Sequence, residues 1–210
     1  MLLFNSKFRK YLKSKRLFVL IGFLLVFSGI TPVVGSSTLI DEKRRVGRVQ
    51  AAYLTHLINF TKWNQADLPK SEDTAKFVIL GADSNGVVDS IKFLVAQRKL
   101  KIDGRDLEII HFENNLDQEA KLELAKKPQV VFILSESTSL ADEVKTITPN
   151  SLLIGVGRNI VEKSPADIAF MNDRNRVRLI INEKTFSRKS PKISSRISTL
   201  RNVVEIVPAR

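Results

Sequence analysis

The chain has 210 residues, 43% of them hydrophobic, with 34 Lys and Arg against 22 Asp and Glu, a formal net charge of +12. It contains no cysteine, which excludes disulfide cross-links, a thiol nucleophile and a Cys-ligated zinc site. The length suits one domain with a full hydrophobic core.

The first 35 residues hold six basic side chains, Lys7, Arg9, Lys10, Lys13, Lys15 and Arg16, and no acidic one. An apolar run of 14 residues follows, Leu17 to Ile30, and then the small-residue stretch Val33 to Ser37. Basic start, short apolar run and small residues are the order of a secretory signal peptide, and a spanning helix needs about 20 apolar residues. The sequence predicts residues 1–35 as a signal peptide, with an uncleaved anchor as the alternative. It predicts residues 36–210 as a domain on the far side of the membrane, because the positive flank stays in the cytoplasm. Without the first segment, 28 basic side chains face 22 acidic ones. Residues 168–210 hold ten basic and three acidic side chains, so the positive field gathers at that end, suited to an acidic partner or to a plain solvated face.

A helix is expected over Asp41 to Trp63. Val46, Val49, Tyr53, Leu57 and Phe60 form a stripe at three- and four-residue spacing, with Arg48, Thr55, Asn59 and Lys62 opposite. The aromatic stripe Tyr53, Leu57, Phe60 and Trp63 reads as core packing, or in part as a dimer or partner contact. Strands are expected over Lys76–Leu80, Leu107–Phe112, Gln129–Leu134 and Leu152–Val156. Helices are expected over Gly86–Arg98, Asp117–Lys126 and Ser139–Thr146. Apolar runs alternating with amphipathic segments predict an α/β fold, a three-layer domain with a mainly parallel sheet. Ile168–Met171 and Val177–Ile181 flank Asn172-Asp173-Arg174-Asn175, a hairpin signal. Arg174, Arg176 and Arg178 share one face of its second strand, and Val177, Leu179 and Ile181 the other. A closing helix is expected over Ile193–Val204.

Gly81-Ala82-Asp83-Ser84-Asn85-Gly86 follows a strand and opens a helix, but lacks the glycine spacing and the Lys and Ser/Thr of a phosphate loop. It reads as a turn, with Gly81, Asp83, Ser84 and Asn85 as a small-molecule crevice in the alternative. The Gly155-Val156-Gly157 turn likewise lacks a third glycine. His56 is expected to be partly buried and structural, and His111 has no second histidine nearby, so neither fits a zinc spacing. Asp103 and Asp106 around Gly104 read as turn residues rather than an acid–base pair. No Gly-x-Ser-x-Gly elbow is present. No metal or cofactor is expected. Phe170 and Phe186 are too few for a base-stacking platform, so nucleic-acid binding is not expected.

Three stretches carry a resemblance: Val49-Gln50-Ala51-Ala52-Tyr53-Leu54 through Asn59-Phe60-Thr61-Lys62-Trp63; Phe77-Val78-Ile79-Leu80-Gly81; and Arg176 to Asn182 with Ile193-Ser194-Ser195-Arg196-Ile197. In this order they resemble the YfiR family of periplasmic regulators, over roughly Arg45 to Val204. The resemblance implies a non-enzymatic α/β domain, often a homodimer. It implies binding to the periplasmic part of an inner-membrane diguanylate cyclase, lowering cyclic di-GMP synthesis and biofilm output, with an OmpA-like outer-membrane lipoprotein relieving the repression. The alternatives are a periplasmic small-molecule binding protein, a hydrolase with an unrecognised site, and a domain that meets the envelope surface through its basic end.

Overall fold

The computed structural model describes residues 36–173, 176–200 and 202–208. The signal-like segment 1–35 and Arg174 lie outside the described residues. Among the described residues, no helix is long and apolar enough to cross a membrane.

Three apolar runs, β2 (Ala75–Leu80), β5 (Val130–Ile133) and β6 (Leu152–Val156), form the centre of the sheet beside the more polar β4 (Arg105–Phe112), with a short β1 (Thr61–Lys62) ahead of β2 and a short β3 (Lys101–Ile102) ahead of β4. The sheet continues through β7 (Ile168–Asp173), β8 (Arg176–Asn182) and β10 (Val204–Val207), while β9 (Lys192–Ile193) pairs with β1 in a separate two-stranded piece. The strand order is β10-β8-β7-β6-β5-β2-β4-β3. The run from β7 through β6, β5 and β2 to β4 is parallel, and β8 is antiparallel to β7. The chain crosses from β4, on one side of β2, to β5 on the other, so the sheet reverses direction at β2 and β5. That reversal point is where open α/β sheets place ligands.

Helices α1 (Ser36–Phe60) and α2 (Val87–Arg98) cover one face. Ala51, Leu54 and Leu57 of α1 and Val87, Val88 and Ile91 of α2 join Phe77, Ile79, Phe132, Ile154 and Phe170 in one core. Phe132 and Phe170 meet edge to face, ring centres 5.5 Å apart, a favoured aromatic geometry. Helices α3 (Gln118–Ala125), α4 (Thr138–Ile147) and α5 (Asn159–Glu162) cover the other face. Their Ala120, Leu124, Leu140, Val144 and Ile160 pack on Val78, Leu80, Val131, Ile133 and Leu153. The helices start where the sequence supplies caps. Asp117 accepts a hydrogen bond from Ala120 N–H, and Ser137 accepts one from Leu140 N–H. The turn between β3 and β4 has positive φ at Asp103 and Gly104, the two-residue hairpin geometry that Asp-Gly favours.

The α/β fold with its mainly parallel sheet is as the sequence predicts. Three local expectations are corrected. The first helix ends at Phe60 rather than Trp63, because Thr61 and Lys62 pair with β9 and the Thr61 hydroxyl bonds Leu57 O at 2.6 Å. His56 is exposed rather than partly buried. The expected closing helix over 193–204 is instead β9, a 3₁₀ turn at Ser195–Thr199 capped by Ser194, and β10. The β-branched run from Val203 to Val207 adds to the sheet beside β8, where it buries more than a solvated helix would. The hairpin is followed by a one-turn helix, α6 (Lys184–Ser187), whose start is held by Asn182 Oδ1 accepting from Lys184 N–H.

Helix α1 lies against the turn that starts α2. A Cβ placed on Gly47 would sit 2.1 Å from the backbone oxygen of Asn85. Ala is the better helix former by about 1 kcal/mol, but overpacking against backbone costs about 1–3 kcal/mol. Gly47→Ala is therefore predicted to lower stability in urea unfolding by up to about 2 kcal/mol; a gain would contradict this packing.

Candidate functional site

The residues singled out by the sequence fall in three places. The first is the β7–β8 hairpin. Met171 faces Arg178 and Asp173 faces Arg176 across the antiparallel pair. Alternation puts Val177, Leu179 and Ile181 into the core with α1 and α2, which turns Arg176, Arg178 and Ile180 to the opposite face. Ile180 is enclosed there by the second core, whereas Arg176 is exposed and Arg178 half-buried. Arg178 Nη1 reaches Asp173 Oδ2 at 3.5 Å, and its buried Nε has no hydrogen-bond partner among the described residues. Beside β8, Glu205 of β10 receives both oxygens' bonds from Arg158 Nη2 at 2.8 and 2.7 Å, and Arg158 also binds Glu162 at 2.9 Å. The basic strand is thus partly balanced: Asp173 takes up Arg178, and Arg176 has no ion-pair partner among the described residues.

The second place is the aromatic stripe. Leu57 is fully enclosed in the core, and Tyr53 and Trp63 pack against that core with part of their surface open. Phe60 is also half-buried. The Trp63 indole N–H is buried without an acceptor among the described residues. Among the described residues, no hydrogen bond or ion pair joins the stripe and the hairpin arginines into one constellation.

The third place is the turn after β2. Asp83 points its carboxylate back onto the start of α2: Oδ1 accepts from Asn85 and Val87 N–H at 3.2 and 3.1 Å, and Oδ2 from Val88 N–H at 2.9 Å. A carboxylate of the chain itself takes the N–H groups that an anionic ligand would use at a helix start. The reversal point beside it is crowded. A Cβ on Gly81 would lie 3.1 Å from Asn115 Oδ1 and 3.4 Å from Leu134 Cβ, and His111 Nε2 bonds Gly81 O at 2.8 Å. Two hollows lie elsewhere. One of about 550 Å³ is at the start of β2 and β5, lined by Asp67, Lys76, Gln129 and Asn150. Another of about 570 Å³ lies beside Asp167. Among the described residues, no three His, Asp or Glu side chains gather as metal ligands would. Asp103 sits in the β3–β4 turn, as expected, and accepts from Gln65 Nε2 at 2.6 Å, whereas Asp106 lies in β4 rather than the turn and pairs with Lys101 of β3 at 2.8 Å.

Sequence reasoning missed a buried ionic cluster. Asp167 is 5% exposed just before β7. Its Oδ2 accepts from Leu153 N–H at 2.8 Å, Lys145 Nζ at 3.2 Å and Arg188 Nη2 at 3.0 Å, and its Oδ1 from Arg188 Nη1 at 2.6 Å. The carboxylate ties together β6, α4, β7 and the segment after α6. The available signal was an acid inside the apolar stretch Ala166 to Phe170. Its partners, 22 residues before and 21 after, have no such signal.

The fold and these surfaces define a doubly wound α/β domain closed by a charged hairpin, with no paired nucleophile and base at its residues of interest. The family model described as YfiR/HmsC-like matches residues 47–200, and the chain belongs to that family. This is a regulatory rather than a catalytic family, periplasmic and consistent with diguanylate cyclase signalling. No match was found among curated proteins.

Two predictions follow from the ionic clusters. Asp167→Asn leaves Lys145 and Arg188 without their counter-charge and is expected to cost about 3 kcal/mol or more in chemical unfolding; a loss below about 1 kcal/mol would show that the cluster does not hold these elements together. Glu123 on α3 binds Lys76 of β2 and Lys126 at 2.7 Å. Burial raises its pKa, but the hydrogen bonds from Lys126 and Lys76 outweigh burial and hold the carboxyl below its ordinary 4.5. A depressed carboxylate contributes stability above its unfolded pKa and loses it as pH falls through the folded one. The stability gap between wild type and Glu123→Gln is therefore predicted to be about 1–2 kcal/mol at pH 7 and to close below pH 4.5. A gap constant from pH 7 to 3 would contradict the assignment.

Proposed function

We propose that this protein is a periplasmic, non-enzymatic regulator that binds the periplasmic part of an inner-membrane diguanylate cyclase and represses it, lowering cyclic di-GMP and biofilm output. The observation that carries this reading is the family match across residues 47–200. In the same reading residues 1–35 direct export, the domain forms a homodimer, and an OmpA-like outer-membrane lipoprotein relieves the repression. Repression requires that the domain bind the inactive state of the cyclase more tightly than the active one, since a partner that binds both equally shifts nothing.

The contact surfaces follow from exposure and charge. Arg176 stands free in solvent, Arg178 beside it is half-open, and Arg174 precedes them in sequence; these three meet an acidic surface of the cyclase. The open parts of Tyr53, Phe60 and Trp63 supply an apolar partner or dimer contact, with Leu57 behind them as core. Arg178 and Trp63 each hold a buried N–H without an acceptor among the described residues, an unfavourable state that a docking partner's oxygen relieves.

Arg176→Glu is the direct test, because the exposed side chain can be reversed without disturbing the core. The variant is expected to bind the cyclase's periplasmic domain roughly tenfold more weakly in calorimetry, mostly through slower, salt-sensitive association, with an unchanged melting temperature. Unchanged affinity, also in the triple change of Arg174, Arg176 and Arg178 to Glu, would remove this strand from the interface.

A further inference from the structure

The cleft beside Asp167 sets two recessed cations on one buried carboxylate. Asp167 is already saturated, with four donors on its two oxygens. Two cations, Lys145 and Arg188, share this one carboxylate, and both are recessed, their side chains 15% and 22% exposed. The open space of about 570 Å³ over them is also lined by Lys163. Of the other acids on its wall, Glu162 is bound to Arg158 at 2.9 Å and Asp142 is exposed. Both recessed cations keep donors in reserve. Lys145 Nζ gives two of its three N–H groups, to Ser151 O at 2.9 Å and to Asp167. The Arg188 guanidinium gives three of its five, to Pro191 O and the two Asp167 oxygens. Burial lowers the Lys145 pKa; Asp167 raises it without restoring it, and Arg188 adds to the lowering. A recessed charge without its counter-ion is unfavourable, and an entering anion with strong acceptor oxygens removes that penalty while using the spare N–H groups.

We propose that this cleft is a binding site for a small phosphate-type oxyanion, held by Lys145 and Arg188 at its floor and by Lys163 at its rim. Lys163 supplies a mobile point charge, while Lys145 and Arg188 are fixed by Asp167 and so are already in place when the anion arrives, which reduces the ordering cost of binding. The site lies at the start of β7, away from the Arg176 end of the hairpin, and stands independently of the cyclase reading. Its occupancy ties the segment after α6 more firmly to α4.

Inorganic phosphate is the probe, titrated into the whole exported chain at constant ionic strength and followed by calorimetry and phosphorus NMR. Wild type is expected to bind phosphate saturably. Lys163→Glu, an exposed change that leaves the Asp167 cluster intact, is expected to weaken binding roughly fivefold or more, with the melting temperature in chloride unchanged. Lys92→Glu on α2 makes the same change in net charge outside the cleft and is expected to leave the affinity within about twofold. Absence of saturable binding would overturn the proposal, as would an equal loss in both variants, which would mean a diffuse field rather than a site. Sedimentation with phosphatidylglycerol vesicles, lost in Lys163→Glu, would assign the phosphate to a lipid headgroup; no sedimentation alongside phosphate binding would assign it to the free ion.

Discussion

The constraint on which this fold depends is that its central strands are apolar on both faces and must be covered on both. Val78 and Leu80 of β2 face α3 and α4 while Phe77 and Ile79 face α1 and α2, and β5 and β6 divide their residues in the same way. A strand with no polar face cannot end at solvent, so each crossover lays a helix against the sheet. Polar chemistry is thereby pushed to the strand ends, the hairpin and the loops. The unusual groups are found there: Asp83 folded back on α2, the crowded turn at Gly81, Asp167 under two cations, and the arginines of β8.

The hairpin shows how one alternating pattern does two jobs. Its inner residues extend the core that α1 and α2 cover, and its outer residues present charge. The same alternation that exposes Arg176 buries Ile180 four residues further on, under the second core. Among the described residues of the hairpin, Asp173 balances Arg178 and Arg176 stands open.

Much of this was legible in the sequence because it rests on local pattern. Apolar runs gave the parallel strands, Asp117 marked a helix start, Asp-Gly marked the β3–β4 turn, and the period of two put Arg176 and Arg178 on one face. What local pattern does not carry is pairing between distant segments. Val204 to Val207 reads as the end of an amphipathic stretch until β8 offers it an open edge; Trp63 reads as helix until β9 pairs with Thr61 and Lys62. His56 sits at the margin of an apolar stripe, and only the packing decides that it faces solvent. The Lys145–Asp167–Arg188 cluster brings together side chains from three separate segments, so only the lone acid in an apolar run marked it.

The account's central claim is that this domain acts by holding an inner-membrane diguanylate cyclase. The most direct measurement is to tag the C-terminus, cross-link living cells and identify what the tagged chain captures from the membrane fraction. The account predicts a membrane protein with a cytoplasmic cyclase domain, captured by wild type and much less by Arg176→Glu. Recovery of the tagged chain as a soluble periplasmic protein, with no cyclase attached in either form, would contradict it.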